Sequence, residues 1–305
     1  MLSNAKWRAS RLESLNASAE VVETSAGPIE MVKSGSAPFV LHLHGTPGGF
    51  DQSVNFGEGF VEAGMGSIAI SRPGYLRTPI SVGRTAEQQA DAIAALLDAL
   101  ALEQVAAHGV SGGAPAAIHF AARHPDRITA LLLTCAVSVA YPIHIPGWSK
   151  ILMTPVGMRI GEWALAKFPR ASIKQSLAEL STYSKQQLEV ATREVLSDPQ
   201  RLQVMQDLVR STTPWEDRRD GFAADMETIA GLEENPLPLE SIKCPTLIVH
   251  GSADDDVPYS VGVEAQKRIA GSRLHTMEGA HHVLWLDDGI DEVIRMQVEF
   301  VRESA

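Results

Sequence analysis

Residues 109–113, with the sequence GVSGG, follow a short apolar run at 105–107 and precede a segment of small residues at 114–123. A strand that turns sharply into a helix forces the central residue into a strained conformation and brings the strand and helix backbones close together. The residues two before and two after the centre must therefore lack bulk, and both are glycine here. The pattern predicts a strand, a tight turn and a helix, with the Ser111 hydroxyl at the carboxyl end of a sheet.

Apolar runs and helix-period segments alternate through much of the chain. We predict strands at residues 39–43, 67–71, 105–109, 128–135, 246–250 and 273–277, and a helix with a periodic apolar face at 85–102. Apolar strands that alternate with helices indicate a mostly parallel central sheet flanked by helices on both faces. Residues 20–33 alternate in polarity and turn at Gly27-Pro28, which predicts an antiparallel hairpin at the sheet edge. The expected fold class is α/β.

The pattern changes between residues 140 and 238, where strand-like runs vanish, helix formers with charged faces dominate and prolines stand at both ends. We predict a helical cap at 140–238, inserted into a core domain of residues 1–139 and 239–305. Four large apolar side chains of the cap are candidates for the lining of a closed, apolar substrate pocket: Trp148, Met153, Trp163 and Phe168. The alternative is that they form the core of the cap itself.

Composition limits the possible partners. A formal net charge of −11 in 305 residues disfavours nucleic acid and anionic membrane surfaces, because both need a basic face. The two cysteines, Cys135 and Cys244, are read as small apolar residues rather than a disulfide framework. Residues 1–16 lack the apolar block of a signal peptide, and no apolar run is long enough to span a bilayer. The expectation is a cytoplasmic protein that acts on a small molecule.

Two further segments could complete the chemistry of Ser111. A serine hydroxyl is a poor nucleophile until a base accepts its proton, and that base needs an acid to orient it. Residues 250–258, HGSADDDVP, follow a predicted buried strand, so their carboxylates are expected at the same sheet edge as Ser111. Residues 278–282, EGAHH, follow the short strand before them. The chain order is therefore serine, aspartate, histidine.

With these three motifs, nearly the whole chain outside the cap resembles the α/β-hydrolase superfamily, in particular its capped members with an H-G-x-P-G loop. The resemblance implies Ser111 as nucleophile, Asp254 as the acid of a G-x-x-D-x-x-V-P loop, and His282 as base. His281 stands where the family usually has glycine, so it is the alternative base. The neighbouring carboxylates Asp255 and Asp256 are then bystanders.

The same resemblance implies an oxyanion hole built from backbone N–H groups of Gly112 and Thr46, in the loop HGTPGG at residues 44–49. Pro47 fixes this loop and allows a cis Thr46–Pro47 bond. His44 is expected to be a structural hydrogen-bonding residue. The Thr46 hydroxyl either adds a donor or stabilises the loop.

The expected activity is hydrolysis of carboxylic esters with short to medium acyl groups, through an acyl-enzyme and without a cofactor. One alternative is an aminopeptidase resembling proline iminopeptidase, with Glu162, Glu216 and Asp217 holding the substrate ammonium. Lactonase, perhydrolase or carbon–carbon bond hydrolase activity would use the same machinery, and a catalytically silent binding protein is the alternative outside enzymes. The pair His42-x-His44 is not expected to bind a metal, because it enters a glycine loop. Residues 218–220 (RRD) are expected to form a solvated or helix-terminal charge cluster, with contact to a substrate carboxylate as the alternative, and the oligomeric state is left open.

Overall fold

A computed structural model describes residues 4–143 and 153–305. Its eight strands are β1 Glu20–Thr24, β2 Gly27–Ser34, β3 Phe39–Leu43, β4 Gly66–Ile70, β5 Val105–Val110, β6 Ile128–Thr134, β7 Thr246–Gly251 and β8 Arg273–Met277. They form one sheet in the order β1-β2-β4-β3-β5-β6-β7-β8. The β1/β2 and β2/β4 pairs are antiparallel, and every other pair is parallel. The predicted α/β class with a mostly parallel sheet is confirmed.

The α-helices of the described residues are α1 Asn4–Ser18, α2 Phe50–Glu62, α3 Ala86–Ala99, α4 Ala114–Arg123, α5 Pro155–Lys167, α6 Pro169–Leu180, α7 Lys185–Ser197, α8 Pro199–Arg210, α9 Arg219–Ala230, α10 Tyr259–Arg268 and α11 Ile290–Ser304. Helix α3 begins where the sequence dictates, because the Thr85 side chain accepts from the Gln88 N–H and the Gln88 side chain accepts from the Thr85 N–H. No helix of the described residues is both long and apolar enough to cross a bilayer.

The central strands are buried on both faces, as parallel strands between helical layers must be. Alternate residues of β3, β5, β6 and β7 belong to two separate apolar cores. Leu41, Ala107 and Leu131 lie in the core that contains residues of α3 and α4. Val40 and Ala106 lie in the other core, with residues of α11. The carboxyl ends of β3, β5, β7 and β8 meet at one edge of this sheet, where the loops that follow them carry the candidate site.

The predicted strands agree with the structure to within about one residue at each end, which is the usual uncertainty of strand boundaries. The hairpin turn differs: β2 already begins at Gly27, so the turn lies at residues 25–26 rather than at Gly27-Pro28. Helices α5 to α9 follow β6 and precede β7, in the region predicted as a cap. The division into a core and a cap at 140–238 stays a prediction.

Helix α1 has no counterpart among the predicted elements. It rests against the region between β6 and β7, where Arg8 Nε donates to Asp217 Oδ2 at 2.7 Å and Asn4 Nδ2 donates to Glu216 Oε1 at 3.0 Å. The Arg159 guanidinium stacks on the Trp7 ring, 4.7 Å from its centroid. These contacts explain why a segment with little apolar surface folds against the body of the molecule.

Candidate active site

Ser111 lies in the tight turn between β5 and α4, with a left-handed φ of +50°. Such a φ is costly for a residue with a side chain and persists only where the surroundings enforce it. The surroundings are tight: a Cβ added to Gly109 would approach the backbone of Ala114, and one added to Gly113 would collide with the carbonyl oxygens of Leu43 and His44. The glycines are therefore required by the close approach of strand, helix and neighbouring loop.

The structure brings Ser111, His282 and Asp254 together. His282 Nε2 lies 3.0 Å from Ser111 Oγ, and His282 Nδ1 lies 2.8 Å from Asp254 Oδ2. Both distances are within hydrogen-bond range, so a proton can pass from the serine hydroxyl to the imidazole while the carboxylate orients the ring. The three side chains come from loops after β5, β7 and β8, which no local sequence pattern joins.

Asp254 is held as a carboxylate. It is buried, and its Oδ1 accepts from the N–H groups of Asp256 at 3.0 Å and Val257 at 2.9 Å. Burial alone would raise the pKa of Asp254, but the charges and hydrogen bonds of His282 and His250 outweigh burial and hold that pKa well below its usual range. The acid is therefore ionised and fixed in orientation at neutral pH.

Asp256 is not the bystander that the sequence suggested. Its Oδ2 lies 3.3 Å from His282 Nε2, the same nitrogen that faces Ser111. Burial lowers the pKa of His282, yet the negative charges of Asp254 and Asp256 and the hydrogen bond to Asp254 together raise it to about 9. Asp256 therefore favours the protonated imidazole, which cannot act as a base.

His281, the alternative base, faces another residue. Its backbone N–H donates to Asp287 Oδ2 at 3.1 Å, and its Nδ1 lies 3.1 Å from the same oxygen. Burial lowers the pKa of His281 to about 4, so the ring is neutral. The side chain in contact with Ser111 is that of His282.

The loop after β3 lies beside the serine, because a Cβ on Gly45 would be 3.3 Å from Ser111 Cβ. The Gly45 N–H donates to Gln52 Oε1 at 2.7 Å, whereas the Thr46 N–H makes no hydrogen bond to any described residue. Gly112 packs directly against Thr46, since a Cβ at Gly112 would strike the Thr46 side chain. Thr46 and Gly112 thus lie next to each other beside the nucleophile, where an oxyanion hole needs its donors.

Two details of this loop follow the sequence interpretation. The Thr46–Pro47 bond is cis. His44 makes structural hydrogen bonds, since its Nε2 accepts from the Arg72 N–H at 3.0 Å and its Nδ1 lies 2.8 Å from the Gly45 carbonyl oxygen. The Thr46 hydroxyl donates to Asp225 Oδ2 at 2.5 Å, so it stabilises the loop rather than adding an oxyanion donor.

A cavity of about 790 Å³ opens onto Ser111 and His282. It is less apolar than expected. The carboxylates that line it, among the residues the structure describes, are Glu58, Glu62, Asp198, Asp207, Asp256, Asp287, Asp288 and Asp291. Arg201 is the one lysine or arginine in this described lining, and it already pairs with Asp198 and Asp288.

Two carboxyl groups of the cavity have raised pKa values, mainly because they are partly buried. Burial and the charges of Glu62 and Asp207 raise the pKa of Glu58. Burial raises the pKa of Asp287 to about 7. Both carboxyls gain protons more easily than in water because burial and, at Glu58, neighbouring carboxylates disfavour the charged form.

Of the four predicted pocket residues, the three that the structure describes do not line this cavity. Met153 is absent from its lining, and Trp163 and Phe168 are exposed, with their rings packed edge to face 5.7 Å apart. Trp148 lies outside the described residues. The aromatic wall comes instead from Phe56 and Trp285, which stack at 4.5 Å. Composition does not distinguish a pocket residue from an exposed apolar residue, because the direction that each side chain faces depends on how α5 packs.

Other charged residues of this region also differ from expectation. Glu216 and Asp217 bind α1, and neither they nor Glu162 line the cavity, so they are not placed to hold a substrate ammonium. Arg218 is fully buried rather than solvated: it donates to the Gly48 carbonyl oxygen at 2.5 Å and to Asp51 Oδ2 at 2.8 Å. Arg218 also donates to the nearby Thr213 carbonyl oxygen at 2.9 Å, but Gly48 and Asp51 lie 170 and 167 positions earlier in the chain, so no local pattern reveals them.

Cys135 is a buried free thiol near the acid, and Cys244 is a partly buried one. Ligand atoms of Cys135, Asp254 and His282 lie within 4.8 Å of one another. Asp254 and His282 also bond to each other, and His282 bonds to Ser111. Burial and the charge of Asp254 raise the pKa of the Cys135 thiol well above its usual range.

Known proteins agree with this architecture. The chain is similar to an alpha/beta hydrolase fold protein from Nakamurella multipartita, with 33% identity over 94% of this chain and all of that one, and a TM-score of 0.87. It is 25% identical to a 2-hydroxy-6-oxo-6-phenylhexa-2,4-dienoate hydrolase from Comamonas testosteroni, over 89% of this chain and 90% of that one. It is 28% identical to a pimeloyl-[acyl-carrier protein] methyl ester esterase from Neisseria meningitidis, over 72% and 76%.

The sequence profile of the Alpha/beta hydrolase family matches residues 40–296, which include all three residues of the serine, histidine and aspartate cluster. The family resemblance inferred from the motifs is confirmed. This chain belongs to the Alpha/beta hydrolase family and is a hydrolase.

Proposed function

We propose that the chain is a serine hydrolase that cleaves carboxylic esters through an acyl-enzyme intermediate. The observation that carries this proposal is the continuous hydrogen-bonded chain from Ser111 Oγ through His282 to Asp254, with distances of 3.0 and 2.8 Å. A serine becomes nucleophilic when an adjacent base accepts its proton and a carboxylate stabilises the resulting imidazolium.

In the proposed reaction, Ser111 Oγ attacks the acyl carbon while His282 Nε2 takes its proton. The N–H groups of Thr46 and Gly112 donate to the negative oxygen of the tetrahedral intermediate. Asp254 orients the ring and stabilises its charge. His282 then protonates the leaving alcohol, and the same base activates the water that releases the acid. Residues 140–238 act as the cap over this site.

The cavity supports a preference for acyl groups of moderate size that carry no negative charge. A volume of about 790 Å³ lies in the range of pockets for small organic ligands. Each methylene added to an acyl chain contributes roughly 0.8 kcal/mol while it remains buried, and nothing once the cavity is full. The carboxylates of the lining repel an anionic substrate, since Arg201 is already paired.

A fluorophosphonate probe tests the nucleophile, because it reacts with an activated serine. We expect one equivalent of label on the peptide that contains Ser111, and none in the Ser111→Ala variant. Labelling of that variant, or an unlabelled wild-type protein, would contradict the proposal and favour the non-catalytic binding protein.

A panel of p-nitrophenyl esters tests the substrate class. We expect kcat/KM to peak between acetate and octanoate and to fall at palmitate. The glutarate hemiester should be cleaved about tenfold less efficiently than pentanoate, its uncharged match in length, and added salt should narrow this gap because it screens the repulsion. Preference for the hemiester would contradict the charge assignment.

Carbon–carbon bond hydrolysis is the alternative on the same triad, since the relative from Comamonas testosteroni is named for hydrolysis of a dienoate. The acidic cavity disfavours such an anionic substrate. A prolyl naphthylamide that outpaced every ester would indicate the peptidase, and a preference for lactones would redirect the assignment within ester hydrolysis. Each of these outcomes would leave the role of Ser111 intact.

A further inference from the structure

A buried carboxylate in the region predicted as a cap reaches the loop that carries the proposed oxyanion donor. Asp225 lies on α9 and is 4% exposed. Its two oxygens accept from Arg72 Nη1 and Nη2, each at 2.6 Å. Oδ2 also accepts from the hydroxyls of Tyr75 and Thr46, each at 2.5 Å. We call Thr46, Arg72, Tyr75 and Asp225 the Asp225 cluster.

Arg72 connects Asp225 to the backbone beside Ser111. Its side chain is 1% exposed, and it donates from Nε to the His44 carbonyl oxygen at 3.0 Å and from Nη2 to the Gly45 carbonyl oxygen at 3.3 Å. Its planar guanidinium therefore binds the Asp225 carboxylate on one side and two carbonyls of the loop on the other. The Asp225 carboxylate therefore holds the Arg72 guanidinium in place, and the guanidinium holds the loop after β3 in place.

The peptide unit between Gly45 and Thr46 is the part of the loop that matters for chemistry. Its carbonyl oxygen accepts from Arg72 Nη2 at 3.3 Å and lies 2.8 Å from His44 Nδ1, and its N–H is the Thr46 donor that no described residue uses. A peptide unit is planar, so fixing the direction of its C=O also fixes the direction of its N–H. A cation on the carbonyl oxygen further polarises the unit and strengthens the N–H as a donor.

The contact between Asp225 and the loop after β3 depends on the close packing of α9 against the segment after β4. Gly221 on α9 donates its N–H to the Gly74 carbonyl oxygen at 3.0 Å, and a Cβ on either glycine would collide with the opposite segment. This close approach brings Asp225 within reach of the loop that follows β3. A surface carboxylate would have its charge screened by water, whereas this one is enclosed by its four donors.

We propose that Asp225, acting through Arg72 and the Thr46 hydroxyl, is a positioning residue of the oxyanion hole. It holds the peptide unit of Gly45 and Thr46 in the orientation that directs the Thr46 N–H to the oxyanion. The inference rests on the proposed function, because it assumes that this N–H stabilises the tetrahedral intermediate. It adds a residue of α9 to the machinery of the reaction.

Two variants remove the positioning contacts, and one matched control leaves them. Asp225→Asn removes the charge that holds Arg72. Thr46→Val keeps the Thr46 N–H and removes the hydroxyl contacts with Asp225 and with Arg72 Nη2. Tyr75→Phe removes a hydrogen bond of equal length to the same Asp225 oxygen, and it keeps the aromatic ring that packs against His44.

We expect Asp225→Asn and Thr46→Val to lower kcat for p-nitrophenyl butyrate about 10- to 100-fold, near the effect of losing one oxyanion donor. The KM should stay within about threefold, because the contact acts in the transition state. A trifluoromethyl ketone, which forms a tetrahedral adduct with the serine, should bind more weakly by about the same factor as kcat falls. Tyr75→Phe should keep kcat within about threefold of wild type, even if its melting temperature falls as much as those of the other two variants.

The inference is overturned if folded Asp225→Asn and Thr46→Val keep wild-type kcat, or if Tyr75→Phe loses kcat as severely as they do, because the cluster would then be structural. If Asp225→Asn does not fold, Thr46→Val alone decides between these results. Failure of the proposed function is distinct: it would appear as wild-type protein that a fluorophosphonate does not label at Ser111.

Discussion

The region predicted as a cap meets the catalytic residues on two sides, and the two contacts differ in kind. At the acid–base side it uses backbone: Thr182 N–H donates to the Ala253 carbonyl oxygen at 2.9 Å, and His282 N–H donates to that of Leu180 at 3.2 Å. At the oxyanion side it uses the buried charges of Arg218 and Asp225. Backbone bonds survive most side-chain changes, whereas a buried ion pair becomes a penalty once either partner is lost. The oxyanion side should therefore be the more sensitive to substitution in this region.

The largest effect is expected at the residue between the two sides. Ser111→Ala should lower kcat/KM for p-nitrophenyl butyrate by about 10⁴-fold or more, because it removes the nucleophile that both sides serve. The unfolding of this variant, followed by circular dichroism, should remain cooperative. A variant that kept a tenth of wild-type turnover would contradict the assignment of the nucleophile.

The acid–base side is tested with two adjacent histidines. His282→Ala should approach the loss of Ser111→Ala, since its ring contacts the serine hydroxyl. His281→Ala should retain most activity and lose some stability, because its ring packs against Asp287. Steady-state kinetics on both variants measure the contrast. The reverse ranking would assign the base to His281.

The oxyanion side is tested by stability. Arg218→Gln should lower the free energy of unfolding by about 3–5 kcal/mol, because it removes the buried guanidinium that binds Asp51 and the carbonyl oxygens of Gly48 and Thr213. Arg219→Gln is the matched control, and its exposed side chain should change stability by less than about 0.5 kcal/mol. Urea unfolding measures both. Equal effects would mean that the buried ion pair of Arg218 and Asp51 contributes no more to the free energy of unfolding than an exposed charge does.

The smallest effect is a shift in pH dependence. Since neutral His282 is the base, activity should fall as the pH drops through its raised pKa of about 9. Asp256→Asn removes a charge that raises this pKa, so the acid limb of the kcat/KM profile should move to lower pH and activity near neutrality should rise. A profile from pH 5 to 10 measures the shift.

Asp255→Asn is the control for this prediction, because no contact joins Asp255 to the imidazole among the described residues. The acid limb of the kcat/KM profile of Asp255→Asn should stay at the wild-type pH. An unmoved limb in Asp256→Asn would show that this carboxylate does not influence the base. The sequence alone predicts that activity falls on acidification with an apparent pKa of about 6 to 7.

Local patterns explain why the sheet and the serine turn were predictable. A strand buried on both faces needs an apolar run, and a turn with a left-handed serine needs glycines on either side, so Gly109 and Gly113 signal their own role. The resemblance to a family supplied Asp254 and His282, whose partners are distant in the chain. The hydrogen-bonded geometry of those residues agrees with that interpretation.

The pocket and the buried charges were not predictable, because they depend on packing between distant segments. Trp163 and Phe168 have the composition of pocket residues but lie exposed. Arg218 has the composition of a surface residue but lies fully buried beside Asp51. The partners that bury Arg218 are far away in sequence, and a helical period is the same whether its apolar face meets a ligand, a core or solvent.

The partners of α1 have a consequence for the order of events during synthesis. Arg8 and Asp217 are 209 positions apart, so at translation rates of about 5 to 20 residues per second the helix waits roughly 10 to 40 seconds for its partner to be made. A helix of 15 residues with few buried side chains is marginal on its own in water. The contacts of Asn4–Ser18 with residues 210–220 are therefore expected to form late, after these residues have left the ribosome, whereas its ion pair between Arg11 and Asp51 can form earlier.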